Sequence, residues 1–149
     1  MNKFVLLSLF SCAAVSCAVD KGVNADKELA YCDAQIRKAL PNMTNPAKGA
    51  RNIAANAPDP QWHCTDINDW TCGFWPGILW YDYEFTQDEA IRQQAERFSE
   101  AIIPVLDNKN HSHDLGFMFY CSLGHGYRLT QNPEYKKQLL RAADSLALL

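Results

Sequence analysis

The sequence predicts an all-α fold built from helical hairpins that begin a barrel with an inner and an outer ring, and two observations carry that expectation. Tyr83-Glu84-Phe85-Thr86-Gln87-Asp88 recurs 44 residues later as Tyr127-Arg128-Leu129-Thr130-Gln131-Asn132. Around each copy, a helix rich in aromatics on most of its circumference precedes one with a single apolar stripe. Two such classes of helix alternating along a chain suit concentric rings, the wrapped helices inside and the half-solvated ones outside.

The elements follow in order. Residues 1–16 resemble an export signal: Lys3 precedes the apolar run Phe4-Val5-Leu6-Leu7-Ser8-Leu9-Phe10, and small residues follow. Cleavage before Cys17 would leave a lipid-modified cysteine and a periplasmic or outer-membrane-anchored protein; ordinary cleavage after Ala18 would leave a free one. Ala14-Val15-Ser16 ahead of Cys17 points to the lipid-modified form, with membrane attachment through that residue. The partial domain is expected over residues 25–149. Asp26 to Leu40 forms a first helix, with Leu29, Cys32, Ile36 and Leu40 at helical spacing.

Gly73 to Phe85 and Leu115 to Leu129 form the inner helices, expected to be buried on both sides. Thr86-x-x-Glu89 predicts a capping box for the first outer helix, whose stripe is Ile91, Ala95, Phe98, Ile102 and Leu106. Asn132-Pro133 caps the second, striped by Tyr135, Leu139, Ala142 and Leu146. That makes five helices. Six pairs of this length need about 264 residues, so a chain of 149 does not close the ring and is expected to be the N-terminal part of something longer.

Composition removes several functions. With 14 Lys+Arg against 17 Asp+Glu and no basic stretch, the chain lacks the electrostatic footprint of a nucleic-acid binder. No run reaches the roughly 20 apolar residues of a membrane span. Cys32, Cys64, Cys72 and Cys121 show no Cys-x-x-Cys spacing, so neither a zinc site nor a disulfide framework is expected, although an oxidising compartment would allow Cys64 to pair with Cys72.

Chemistry-bearing residues gather before the inner helices. The 44-residue offset aligns Trp70 with Asp114, so both should face one mouth of the assembly. Trp62-His63-Cys64-Thr65-Asp66 and Asp69-Trp70-Thr71-Cys72-Gly73-Phe74-Trp75 supply flat apolar faces and hydrogen-bonding groups, a combination suited to a sugar ring. Phe74, Phe117 and Phe119, on inner helices, are read as filling the barrel, whereas Trp70, in the loop before the helix, is read as a sugar contact. Asp114 has two readings. It is a helix cap, with a lowered pKa, or a carboxyl group that Phe117, Met118 and the Trp-rich loop desolvate and tune for proton transfer. His111, His113 and Asp114 also resemble metal-ligand spacing, but further ligands would have to come from among His63, Asp66 and Asp69, and neither metal nor cofactor is expected.

Asp69-Trp70-Thr71-x-Gly73-Phe74-Trp75-x-Gly77-x-Leu79-Trp80, followed by His113-Asp114-x-Gly116-Phe117, resembles the unsaturated glucuronyl hydrolases of glycoside hydrolase family 88 over about residues 69–149. The resemblance implies an (α/α)6 barrel that takes lyase-generated oligosaccharides whose terminal uronate carries a C4=C5 double bond. It implies hydration of that bond, with Asp114 as one of two catalytic aspartates and the other further along the family's chain. Trp70, Trp75 and His113 are cast as substrate-binding. Cys72 departs from the acidic or small residue expected there. A related hydrolase of unsaturated rhamnogalacturonan and a non-catalytic helical-repeat module that binds glycans or proteins remain as alternatives.

Overall fold

The computed structural model describes residues 22–53, 56, 58, 61–108 and 112–148. The export signal over residues 1–16, Cys17 and His111 lie outside the described residues.

Helix α1 (Ala25–Ala39) is capped by the Asn24 side chain, which accepts from the Lys27 N–H at 3.1 Å. Only Ile36 of its stripe is buried; Leu29 and Cys32 are exposed. An antiparallel hairpin follows, β1 (Lys48–Ile53) and β2 (Trp62–Asp66), with a register shift between Ala50 and Asn52. The sequence reading did not anticipate it. A 3-10 turn (Trp70–Gly73) leads into α2 (Phe74–Thr86), then α3 (Glu89–Ala101) and a second 3-10 turn (Ile103–Asp107). The second inner helix runs as α4 (Leu115–Phe119), a π-helical turn (Tyr120–Gly124) and α5 (His125–Thr130); α6 (Pro133–Ala147) completes the second hairpin.

The repeat is visible atom by atom at the two hairpin corners. Gln87 and Gln131 both adopt left-handed backbone, with φ of 54° and 56°. Each donates its side-chain amide to two carbonyls at the helix end, Tyr83 and Glu84 in one corner, Tyr127 and Arg128 in the other, the tyrosine carbonyl accepting the glutamine's own backbone N–H as well. Thr86 and Thr130 donate back to the carbonyls of Asp82 and Gly126 and accept from the N–H groups of Asp88 and Asn132. The cap of α3 is therefore Asp88, which accepts from the Ala90 N–H at 2.9 Å, and not Thr86, whose hydroxyl is engaged in ending α2. Asn132 caps α6 as expected.

The core lies between the two hairpins. Ile91, Ala95 and Phe98 of α3, its C-cap Ile102 and Leu106 of the following 3-10 turn are all buried, in one core with Trp75, Leu79 and Trp80 of α2 and Met118, Phe119 and Leu123 of the second inner helix; the expected stripe thus outlasts the helix, which ends at Ala101. Trp80 donates its indole N–H to the buried Ser99 hydroxyl at 2.9 Å, so its polar end is satisfied inside the core. Gly73 lets α2 approach the next inner helix closely: a Cβ there would fall 2.2 Å from the Met118 carbonyl oxygen. Among the described residues the inner helices are not covered on both sides: Ile78, Tyr81 and Tyr120 are 46%, 55% and 70% exposed.

Candidate functional site

The site begins with a turn. Asp69 caps the 3-10 turn, its Oδ1 accepting from the Thr71 N–H at 3.0 Å and the Thr71 hydroxyl at 2.6 Å, while Oδ2 pairs with Arg51 of β1. Burial raises the Asp69 pKa, but the Thr71 bonds and the Arg51 charge outweigh it and hold the carboxyl below its ordinary value. Cys72, within the same turn, is buried beside Asp69 and Asp66, which pushes its thiol up to about 12 and leaves it an inert packing group. Cys64 and Cys72 are both free thiols.

Trp70, first residue of the turn, is 44% exposed. Its ring meets Phe74 edge-on at 5.7 Å, and Phe74 meets Phe117 at 6.5 Å, so an aromatic row runs from the turn to the first turn of α4. Asp114 stands immediately before α4. Trp70 and Asp114 thus lie at the same end of the two packed inner helices.

Asp114 occupies the cap position of α4 but makes no capping bond with its side chain. Its Oδ2 instead accepts from the Ser112 hydroxyl at 3.0 Å, and Oδ1 lies 3.5 Å from His113 Nε2. The carboxyl group is 22% exposed and is not spent on the helix end, so it keeps acceptor capacity for an incoming group. His113 is 87% exposed beside it. Phe119 fills the core, whereas Phe117 is exposed by more than half.

Trp75 is placed differently from Trp70. It is almost wholly buried and packs edge-on against Phe98 at 6.4 Å, and its indole N–H has no partner. A cleft of about 560 Å³ opens between α1, the hairpin and the start of α2. Trp62, Trp70, Phe74, Trp75, Ile78 and Arg51 line it; Asp114 and His113 do not. Trp70 and Phe74 both line the cleft and belong to the aromatic row, and Phe74 carries it on to Phe117 beside Asp114.

Among the described residues, no group of three or more His, Cys, Asp or Glu is placed to hold a metal ion. None of their helices is long and apolar enough to cross a membrane. One residue that the sequence reading passed over matters here: Arg51 reaches the site from the unanticipated hairpin. Away from the site, near the other end of α2, Asp82 is buried, desolvation pushes its carboxyl up to about 6 and its Oδ2 atom has no partner.

The crystal structure of an unsaturated glucuronyl hydrolase specific for heparin superposes with a TM-score of 0.71 at 36% identity, covering 81% of this chain and 31% of that one. The chain is a homologue of the unsaturated glucuronyl hydrolases. Unsaturated glucuronyl hydrolase from Formosa agariphila is 32% identical over 117 residues, 74% of this chain and 28% of that protein. The enzyme of the same name from Bacillus sp. strain GL1 is 40% identical over 84 residues, 54% of this chain and 22% of that one. No family model matches the chain. The described helices accordingly form part of the α/α barrel of the unsaturated glucuronyl hydrolases, and the chain spans less than a third of the length of these curated relatives.

Proposed function

We propose that this chain belongs to a glycoside hydrolase that releases the unsaturated uronate from the non-reducing end of lyase-generated oligosaccharides. The observation that carries the reading is the Asp114 carboxyl group, engaged by Ser112 and His113 but not spent on capping α4, at the same end of the inner helices as the exposed Trp70. Resemblance to the unsaturated glucuronyl hydrolases supplies the reaction. A proton is delivered to C4, water adds its oxygen to C5, and the hemiketal so formed opens with loss of the glycosidic bond; the net change is addition of one water. Delivering a proton to carbon and deprotonating a water is a two-carboxyl task. Asp114 performs one half of it, and a second aspartate, further along the family's chain, the other.

Trp70 presents its indole to the C–H face of the sugar, and His113 hydrogen-bonds the substrate or the Asp114 carboxyl from the solvent side. Trp75 supports the wall from beneath rather than stacking on it, consistent with its burial. No cofactor has a part in this scheme. For localisation, we infer export and attachment to the outer membrane through a lipidated Cys17; incorporation of labelled palmitate that Cys17→Ala abolishes is the expected result.

The test of the reaction is the ultraviolet absorbance of the conjugated C4=C5 bond. Incubation of an unsaturated-uronate disaccharide with the full-length protein should abolish it, and Asp114→Asn should preserve it. A fully active Asp114→Asn variant would remove Asp114 from the mechanism. Absence of any turnover with sugar binding intact would favour a glycan-binding module.

A further inference from the structure

Arg51 stands where β1 bulges. Ala50 faces Cys64 and Asn52 faces His63, the next residue along β2, so Arg51 has no opposite number in the ladder. A bulge re-aims the side chain it carries. Here the guanidinium is turned onto the carboxylate of Asp69, the residue that precedes Trp70 and caps its turn.

A second contact grips the same turn. Gly49 lies against Cys72 so closely that a Cβ would fall 2.8 Å from the Cys72 Cα. The hairpin therefore holds the Trp70 turn at two points, one steric through Gly49 and one electrostatic through Arg51. Asp69 is only 17% exposed, so the pair is partly withdrawn from water and is worth more than an open surface ion pair. Both Asp69 oxygens are committed, one to Thr71 and one to Arg51, which leaves the carboxyl a single orientation.

We propose that Arg51 is a positioning residue for the Trp70 wall: acting through Asp69, it fixes the angle at which the indole is presented to the cleft and so sets how tightly a uronate-bearing sugar stacks there. The sugar part of this inference rests on the function proposed above. The positioning part does not.

The indole N–H resonances of the four tryptophans, with that of Trp70 identified by its loss in Trp70→Phe, provide the readout. In Arg51→Ala the Trp70 signal should shift and broaden while those of Trp75 and Trp80 stay in place. The Kd for an unsaturated-uronate disaccharide should rise about tenfold, as loss of one well-aligned stacking contact would. Arg51→Lys, which keeps the charge, should recover most of both effects. An unmoved Trp70 signal with unchanged Kd in Arg51→Ala would overturn the proposal. Should Arg51→Ala fail to fold, Asp69→Asn decides by the same two criteria, since it keeps an acceptor for Thr71 and drops the charge. A parent protein that binds no disaccharide would defeat the sugar-binding reading, and the Trp70 signal alone would then decide whether Arg51 positions it.

Discussion

Glu84 and Arg128 occupy the same position in the two copies of the repeat, and they bind each other through two bonds of 2.6 Å. The acid in one inner helix and the base in the next turn a duplicated position into a cross-link between neighbouring hairpins. Arg128 holds the Glu84 carboxyl below its ordinary value, chiefly by hydrogen bonding and further by its charge, against the opposing effect of burial.

Both partners are more than 40% exposed, so the pair should contribute modestly. A double-mutant cycle with Glu84→Gln and Arg128→Gln is expected to give a coupling energy of about 0.5 kcal/mol in urea unfolding, falling with added salt. A coupling above about 2 kcal/mol would mean that the pair is shielded from water in solution.

Gly73→Ala is a sharper test of the packing that sets the site. The added methyl meets backbone rather than a flexible side chain, so the inner helices must separate. Overpacking of this kind costs about 1–3 kcal/mol. The thermal midpoint should fall, and the Trp70 emission should change with it, because the turn and the start of α4 are displaced together. An unchanged midpoint would show that the two inner helices are not held at this distance.

What the sequence disclosed tracks the strength of local periodicity. The burial of the stripe from Ile91 to Leu106 and the Asn132 cap were legible, since a 3.6-residue period and a cap ahead of proline are each local signals, although the helix itself stops at Ala101 and a 3-10 turn carries Leu106. The hairpin was not: β1 buries only Gly49 outright, and Trp62, at the start of β2, is exposed, so neither strand alternates. Arg51 was hidden for that reason, its partner Asp69 lying in a different element. The Thr86 and Asp88 corner was misassigned because threonine and aspartate compete for the same cap, and only the left-handed Gln87 between them decides which ends one helix and which begins the next. For the site, Trp70 and Asp114 were brought to one end as the repeat implied, while the burial of Trp75 depends on Phe98, which the motif itself does not contain.

Asp82 gives a prediction about pH. Its carboxyl is buried and surrounded by Asp33, Arg37 and Asp88; desolvation, aided by the two acidic neighbours, pushes it up to about 6 from an ordinary value of 3.8. For an acid with a raised folded-state pKa, the folded protein holds the proton more tightly than the unfolded chain. This group's contribution is therefore most favourable below about pH 4 and is lost as pH rises to about 6. Asp82→Asn should stabilise the protein at pH 7 by about 1–3 kcal/mol, with no gain at pH 4. Urea midpoints of the two proteins measured from pH 4 to 8 provide the check; parallel curves would show that Asp82 is not buried as a charged group.

The 149 residues by themselves should neither turn over substrate nor remain monomeric. In the proposed scheme Asp114 supplies one carboxyl group for a reaction that needs two, the second lying further along the family's chain. Ile78, Tyr81, Phe117 and Tyr120 leave several large apolar and aromatic side chains of the inner helices in water. Size-exclusion chromatography of the isolated chain should show concentration-dependent association, and a hydrophobic dye should bind it strongly. Replacing Ile78 and Tyr120 by glutamate should reduce both effects without lowering the melting midpoint, because neither side chain contributes to the core around Trp80 and Phe98. Turnover of an unsaturated disaccharide by the isolated chain, or a monomer that excludes the dye, would contradict the two-carboxyl scheme and the open inner face respectively.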